Sequence, residues 1–148
     1  MNIKNDPEEM KSTNRFMIVD DDPTSNILCQ YVIRRFFPAT EIKLFTRPEA
    51  ALETIKEEQG KTDFATVLLL DINMPSMSGW DFLDLFKEFS EEIHKRFTIY
   101  ILSSSVDERD KAKAKTNPFV LGFLRKPLTF DSIRRIVSEN NMIEQRSI

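Results

Sequence analysis

The sequence predicts an α/β fold, a doubly wound five-stranded parallel sheet with helices on both faces. Short apolar runs alternate with amphipathic stretches along the chain, which is typical of parallel strands joined by helical crossovers. Polar residues that suit ligand binding follow four of the five runs, at the edge where open α/β sheets bind their ligands. We expect the strand order 2-1-3-4-5, in which strands one and three are neighbours.

The composition fits one globular domain. The chain has 148 residues, 41% hydrophobic and 30% charged, and a net charge of −3 without a long basic run. This balance indicates binding to neither nucleic acid nor a membrane surface. No secretory signal or apolar run of ~20 residues is present, and the single Cys29 excludes an internal disulfide, so we expect a cytoplasmic protein. We expect a flexible extension over residues 1–15, the domain over 16–143 and a tail over 144–148.

The first third of the chain predicts two strands around one helix. Residues 16–19 form a short apolar strand. Pro23 lies in the first turn of the following helix, where its N–H would lack a partner anyway, and Pro38 ends that helix. Residues 42–45 alternate apolar and polar side chains, so we expect an edge strand with one wet side.

The middle third centres on the strand at residues 67–70, which is a run of four apolar side chains. A helix over residues 47–59 precedes it and ends near Gly60, which suits a helix C-cap. After the strand and a short loop, we predict one long helix over residues 80–94.

That long helix carries an apolar stripe at three- and four-residue spacing, which predicts core packing rather than a cofactor site. The stripe consists of Phe82, Leu85, Phe86, Phe89 and Ile93. Trp80 at the start of the helix is expected to pack as well. His94 at its far end is expected to be an ordinary surface histidine, favoured there by the helix dipole.

The last third predicts two further strands, residues 99–102 and 119–124, each followed by a helix. The helix over residues 107–115 offers only alanines and the preceding Val106 as apolar contacts. Weak burial makes it a candidate for the mobile part of the domain. The last helix spans residues 130–141.

Three aspartates are expected to meet at the carboxyl edge of this sheet. Asp20 and Asp21 follow the first strand and Asp71 follows the third, so the predicted strand order places all three in one crevice. Crowded carboxylates repel one another and need a cation. Hard oxygen ligands with some waters suit Mg²⁺ better than Zn²⁺.

A bound cation would also attract a phosphoryl group. Lys126, after the fifth strand, can pair with one phosphoryl oxygen, and a serine hydroxyl from residues 103–105 can donate to another. Asp71 is then left as a carboxylate nucleophile. In-line phosphoryl transfer needs little beyond such positioning and charge neutralisation.

In this order and spacing, the motifs resemble the receiver domain of two-component response regulators, of the chemotaxis type with a flavodoxin-like fold. The resemblance covers residues 16–141. Its motifs are Val19-Asp20-Asp21-Asp22, Leu70-Asp71-Ile72-Asn73-Met74-Pro75, Gly79, Leu102-Ser103-Ser104 and Lys126-Pro127. Each motif is weak alone, but the set is specific.

The resemblance implies that Asp71 accepts a phosphoryl group from a phosphohistidine. It also implies that Asp21, Asp71 and the backbone carbonyl of Asn73 hold Mg²⁺, with Asp20 acting through a coordinated water. The domain would therefore be a phosphoacceptor that catalyses its own phosphoryl transfer and dephosphorylation, and not an enzyme acting on other substrates.

Two further residues would bind the phosphoryl group by the same resemblance, Ser103 through its hydroxyl and Lys126 through its ammonium. Phe123 matches the switch aromatic of the family, here without a hydroxyl. The supporting residues are Ser104, Pro127 and Gly79. The Lys126–Pro127 peptide bond is expected to be cis.

The resemblance also implies partners and a switch. The donor would be a histidine kinase or a histidine phosphotransfer protein. A phosphoryl group on Asp71 would attract Ser103, Phe123 would turn into the space left behind, and the surface of the fourth helix, fifth strand and last helix would change for a downstream protein target. Because nothing after Asn141 could form an output domain, we expect a stand-alone regulator, monomeric or weakly dimeric, that acts by contact or relays the phosphoryl group.

Two alternatives remain at this stage, and a third is disfavoured. A receiver-like interaction module that is never phosphorylated would use the same fold without the chemistry. A haloacid-dehalogenase-type phosphohydrolase also uses an aspartyl nucleophile with Mg²⁺, but it needs a second acid where this chain has Asn73. Flavin binding is disfavoured because no glycine- or serine-rich phosphate loop follows the first strand.

Overall fold

The computed structural model describes residues 15–140 and 142. Strands and helices alternate along this part of the chain. The strands are β1 (Arg15–Val19), β2 (Glu41–Phe45), β3 (Thr66–Leu70), β4 (Phe97–Ser103) and β5 (Val120–Arg125). The helices are α1 (Pro23–Phe36), α2 (Pro48–Glu57), α3 (Gly79–Phe86), α4 (Glu91–Arg96), α5 (Glu108–Thr116) and α6 (Phe130–Glu139).

The five strands form one parallel sheet in the order β2-β1-β3-β4-β5, which confirms the predicted topology. The last residue of β1, Val19, pairs with Leu70 of β3 on one side and with Phe45 of β2 on the other. The carboxyl ends of β1 and β3 therefore lie side by side, and the residues that follow them start from adjacent positions.

Alternate side chains of the central strands enter two separate cores, one on each face of the sheet. Met17 and Leu68 pack in the core beneath α2 and α3, whereas Phe16 and Val67 pack in the core beneath α1 and α6. Because both faces are covered, the inner strands carry mostly apolar residues. β2 is an edge strand with only partly buried side chains, as its alternating pattern predicts.

The prediction of one helix over residues 80–94 is wrong, because two helices occupy that stretch. α3 ends at Phe86, and α4 begins after Ser90, whose side chain accepts the Ile93 N–H at 3.4 Å. A serine cap followed by two glutamates is a strong helix start, and here it outweighs continuation of the apolar stripe. Leu85 of the predicted stripe lies off the buried face of α3, and it is 47% exposed and not in the core.

His94 is not the ordinary surface residue that its position predicts. Its ring is half-buried between Phe86 and Phe119, with ring centroids 5.0 and 4.7 Å away. Its Nε2 atom lies 2.9 Å from the carbonyl oxygen of Phe86. The helix break turns this part of the chain back onto the end of α3, which sequence periodicity does not reveal. Trp80 packs against the core, as predicted.

The remaining predicted boundaries agree with the structure to within two residues. Arg15 differs from the prediction, because it is fully buried in β1 instead of belonging to a flexible extension. Its guanidinium pairs with Glu58 at 2.6 Å and donates to the Thr66 hydroxyl at 2.7 Å. The rest of the predicted extension and the tail at 144–148 lie outside the described residues. No helix within those residues has both the length and the apolar character to cross a bilayer.

Candidate functional site

The acidic crevice forms where β1 and β3 end side by side. The backbone N–H of Asp71 donates to the carbonyl of Val19 at 2.9 Å, and that of Asp20 donates to the carbonyl of Phe45 at 3.0 Å. These bonds continue the sheet by one residue and hold both side chains at its edge. Carboxylate oxygens of Asp20, Asp21 and Asp71 lie within 4.8 Å of one another. The structure thus brings together the three acids that the sequence singles out.

Lys126 enters the same crevice from the end of β5. Its Nζ atom lies 2.6 Å from Oδ2 of Asp20 and 3.7 Å from Oδ2 of Asp71. Its backbone N–H donates to the carbonyl of Ser103 at 3.0 Å, which fixes the chain next to β4. Burial alone would lower the pKa of Lys126, but the hydrogen bond with Asp20 and the two negative charges outweigh it and raise that pKa. The side chain is therefore an ammonium at neutral pH.

Asp71 is a buried carboxylate with an unusual proton affinity. Burial raises the pKa of its carboxyl to about 6, the positive charge of Lys126 opposes this, and the negative charge of Asp20 adds to it. The backbone N–H groups of Asn73 and Ile72 donate to the carboxyl and favour its ionised form. The side chain of Asn73 itself is exposed. Asp71 is therefore mostly ionised at neutral pH and more basic than an ordinary carboxylate.

Gly79 is required by the close approach of the loop after β3. A Cβ atom at this position would lie 2.6 Å from the backbone oxygen of Asp71. The Gly79 N–H donates to the carbonyl of Ile72 at 2.8 Å, so the start of α3 is held against the site. On the other side of the crevice, the Lys126–Pro127 peptide bond is cis, as predicted.

The three serines after β4 have different environments. Ser103 is fully buried, and its Oγ atom accepts the backbone N–H of Ser105 at 3.0 Å. Ser104 is exposed and makes no side-chain hydrogen bond within the described part of the chain. The Ser105 hydroxyl donates to Oδ2 of Asp110 at 2.8 Å. Phe123 is partly buried against the core on the α3 side of the sheet.

Asn26 is part of the site that the sequence interpretation missed. Its side-chain amide donates to the carbonyls of Asp20, at 3.0 Å, and Phe45, at 3.3 Å, which ties the loops after β1 and β2 together. A signal was present, because Asn26 shares a helix face with Cys29 and Ile33, and a polar residue on an apolar face needs hydrogen-bond partners. Cys29 is a small core residue, and burial next to the negative Asp20 raises its pKa to about 12.

A doubly wound α/β domain with an acidic, lysine-bearing crevice at its switch point belongs to the class of α/β proteins that bind ligands at the carboxyl ends of their strands. Within that class, the chain belongs to the response regulator receiver domain family, which matches residues 16–138. That family consists of the receiver domains of response regulators, which are signalling domains of two-component systems.

Solved structures of response regulators resemble the chain over most of its length. A two-component response regulator from Cytophaga hutchinsonii is 30% identical with a TM-score of 0.79, and the match covers 88% of this chain and 98% of that one. A response regulator receiver protein from Dyadobacter fermentans is 25% identical with a TM-score of 0.78, covering 87% and 98%. The Vibrio cholerae chemotaxis protein CheY4, 18% identical with a TM-score of 0.67 and covering 87% and 97%, supports the fold alone. No curated protein matches the sequence.

Proposed function

We propose that the protein is a response regulator whose Asp71 accepts a phosphoryl group from a phosphohistidine of a histidine kinase or phosphotransfer protein. The observation that supports this most directly is the environment of Asp71. Its buried carboxyl ends β3 within 3.7 Å of a lysine ammonium and beside two further carboxylates. A structural carboxylate would be stabilised by one cation, whereas this arrangement leaves excess negative charge that needs a further cation.

The residues present suit Mg²⁺, since the donor set consists of carboxylate oxygens within reach of one another. Asp21, Asp71 and the backbone carbonyl of Asn73 are the proposed ligands, and Asp20 acts through a coordinated water. When bound, the ion supplies charge neutralisation for the incoming phosphoryl group. Zn²⁺ is disfavoured because the crevice offers neither thiolate nor imidazole.

The proposed transfer forms one bond and breaks another. An Oδ atom of Asp71 bonds to phosphorus, the phosphorus–nitrogen bond of the donor breaks, and its electron pair returns to the imidazole of the donor histidine. The ammonium of Lys126 moves from Asp20 to a phosphoryl oxygen, and the Ser103 hydroxyl donates to another. These two residues are adjacent at the crevice, because the backbone N–H of Lys126 donates a hydrogen bond to the carbonyl of Ser103.

The proposed output surface is a groove between α5, β5 and α6, which we call the output groove. It has a volume of about 550 Å³ and includes Phe123 in its wall. Four cationic side chains line it, namely Lys111, Lys115, Arg125 and Arg135. Opposite charges are arranged across specific interfaces, so we propose that the downstream target presents an acidic segment here.

The test of the phosphoacceptor role is intact mass after incubation with Mg²⁺ and acetyl phosphate. Wild type should gain the mass of one phosphoryl group, and Asp71→Ala should gain none. Asp84→Ala removes an exposed aspartate of α3 and should behave as wild type. Modification of Asp71→Ala would contradict the assignment. Absence of modification in wild type would favour a receiver-like module that works without phosphorylation.

A further inference from the structure

A polar cluster connects the loop after β4 to two helices. Asp110, in the first turn of α5, accepts one hydrogen bond on each carboxylate oxygen. Nε1 of Trp80 donates to Oδ1 at 3.3 Å, and the hydroxyl of Ser105 donates to Oδ2 at 2.8 Å. Trp80 belongs to the first turn of α3, so this single carboxylate joins both helices to the loop.

The same cluster is hydrogen-bonded to Ser103 at the acidic crevice. The backbone N–H of Ser105 donates to Oγ of Ser103 at 3.0 Å, and the Ser105 hydroxyl also accepts the N–H of Asp107 at 3.1 Å. A continuous chain of hydrogen bonds therefore runs from Ser103 through Ser105 and Asp110 to Trp80. All of these side chains except Ser103 are partly exposed, and they are able to rearrange.

Helix α5 packs beside β5 but buries few of its own side chains. Ala114 is its one buried residue, and its sequence is largely charged. A single buried alanine removes little apolar area from water. Lys113 adds one contact to the same neighbour, with its Nζ atom 5.6 Å from the centre of the Trp80 ring. The position of α5 against α3 thus depends strongly on the polar contacts made by Asp110.

Phosphorylation as proposed above competes with this cluster for Ser103. A hydroxyl that donates to a phosphoryl oxygen on Asp71 has to move toward the crevice, and this movement pulls on the Ser105 N–H bonded to it. Contacts that break when a group binds weaken that binding by a coupling factor. A substitution that removes these contacts beforehand should strengthen the binding by the same factor.

We propose that Ser105, Asp110 and Trp80 form a latch that holds α5 in its unphosphorylated position, with Asp110 as the positioning residue. This inference rests on the proposed function, because a phosphoryl group at Asp71 is what releases the latch. Release frees α5, which forms one wall of the output groove. The latch thereby sets how strongly the groove responds to phosphorylation.

The test uses the intrinsic fluorescence of Trp80, the one tryptophan of the chain. The protein is titrated in Mg²⁺ with beryllofluoride, a stable mimic of a phosphoryl group on an aspartate. Asp110→Ala should bind beryllofluoride about five- to tenfold more tightly than wild type, within the usual range of coupling between sites. Its emission spectrum without beryllofluoride should already resemble that of saturated wild type.

Two variants keep the test decisive. Glu108→Ala removes the same charge from the same first turn of α5, but its exposed carboxylate pairs with Lys111 and not with Trp80, so it should keep wild-type affinity. Ser105→Ala breaks the latch from its other side and should also tighten binding. The double variant Ser105→Ala, Asp110→Ala should exceed neither single variant, because both remove one coupled unit.

The outcomes separate the two proposals. Wild-type affinity and spectrum in both folded Asp110→Ala and folded Ser105→Ala would overturn the latch, and so would equal tightening in Glu108→Ala, which would show a simple charge effect. A gain in affinity is not produced by a merely destabilising substitution. If wild type fails to bind beryllofluoride, the proposed function fails and the latch fails with it.

Discussion

At the scale of single residues, Asp71 combines a reactive position with a cost to stability. Its pKa is raised from 3.8 to about 6, mainly by burial. The folded protein therefore binds this proton more tightly than the unfolded chain does. Between these two pH values the unfolded chain loses its proton first, so the stability of the folded state falls as pH rises.

We expect Asp71→Asn to stabilise the protein in EDTA at pH 7.5, by at most about 3 kcal/mol, since each pKa unit corresponds to about 1.4 kcal/mol. The neutral amide removes a buried charge that the crevice disfavours. The gain should shrink as pH falls from 6 to 4, because wild-type Asp71 is then protonated as well. Urea denaturation across this range measures both effects. Asp84→Asn is the exposed control, and a gain that is independent of pH would contradict the role of burial.

Ser103 should be dispensable for accepting the phosphoryl group but not for the response to it. Ser103→Ala retains Asp71 and its neighbours, so we expect modification by acetyl phosphate to persist. The change in amide hydrogen exchange of α5 on phosphorylation should be much smaller than in wild type, because the hydroxyl that moves is gone. Ser104→Ala, an exposed neighbour, should respond as wild type. A full α5 response in Ser103→Ala would remove Ser103 from the switch.

The residues that the sequence predicts well share one property, namely that they follow a strand directly. Asp20, Asp71 and Lys126 meet because parallel strands end at one edge, and strand patterns are visible in the sequence. Asn26 and Asp110 were not predicted, because their importance depends on which backbone and side-chain groups pack nearby. Such contacts join residues that are distant along the chain, for example Trp80 and Asp110.

At the scale of elements, the break between α3 and α4 shows where periodicity misleads. The apolar stripe continues across residues 87–90 as though one helix ran through them. A local capping signal at Ser90 ends that continuity, and the second helix starts with a new direction. Element number and strand order were therefore recoverable to a large extent, whereas this break depended on two competing local preferences.

The buried face of α3 makes a prediction about two neighbouring residues. Leu85→Ala should change the free energy of unfolding by no more than about 0.5 kcal/mol, as expected for an exposed side chain. Phe86→Ala should lower it by about 3–5 kcal/mol, because Phe86 is 1% exposed and contacts four other aromatic rings. Urea denaturation of both variants is the measurement. A loss above 2 kcal/mol in Leu85→Ala would instead place Leu85 in the core.

At the scale of the whole molecule, the output groove has a charge opposite in sign to the net charge of the chain. The chain carries −3 overall, yet the output groove is lined by four cations. Lys111 and Arg135 are each paired with a glutamate on their own helix, at 3.5 and 3.2 Å. Lys115 and Arg125 make no ion pair among the described residues. These two side chains are therefore free to pair with an acidic partner without breaking an existing contact.

We expect a fluorescein-labelled peptide of alternating glutamate and leucine to bind the beryllofluoride-saturated protein. The peptide should bind less tightly as the salt concentration is raised from 50 to 300 mM, because salt screens exposed charges. The double substitution Lys115→Glu, Arg125→Glu should weaken binding at least about tenfold, since like charges across an interface repel. The control double substitution Lys56→Glu, Lys61→Glu makes the same charge change at exposed positions that do not line the groove. It should leave affinity within about twofold of wild type, because salt screens exposed charges that do not contact the peptide. Fluorescence anisotropy gives the dissociation constant of the peptide for wild type and for each double variant. If both double variants weaken binding equally, the peptide senses only net charge and the output groove is not its site.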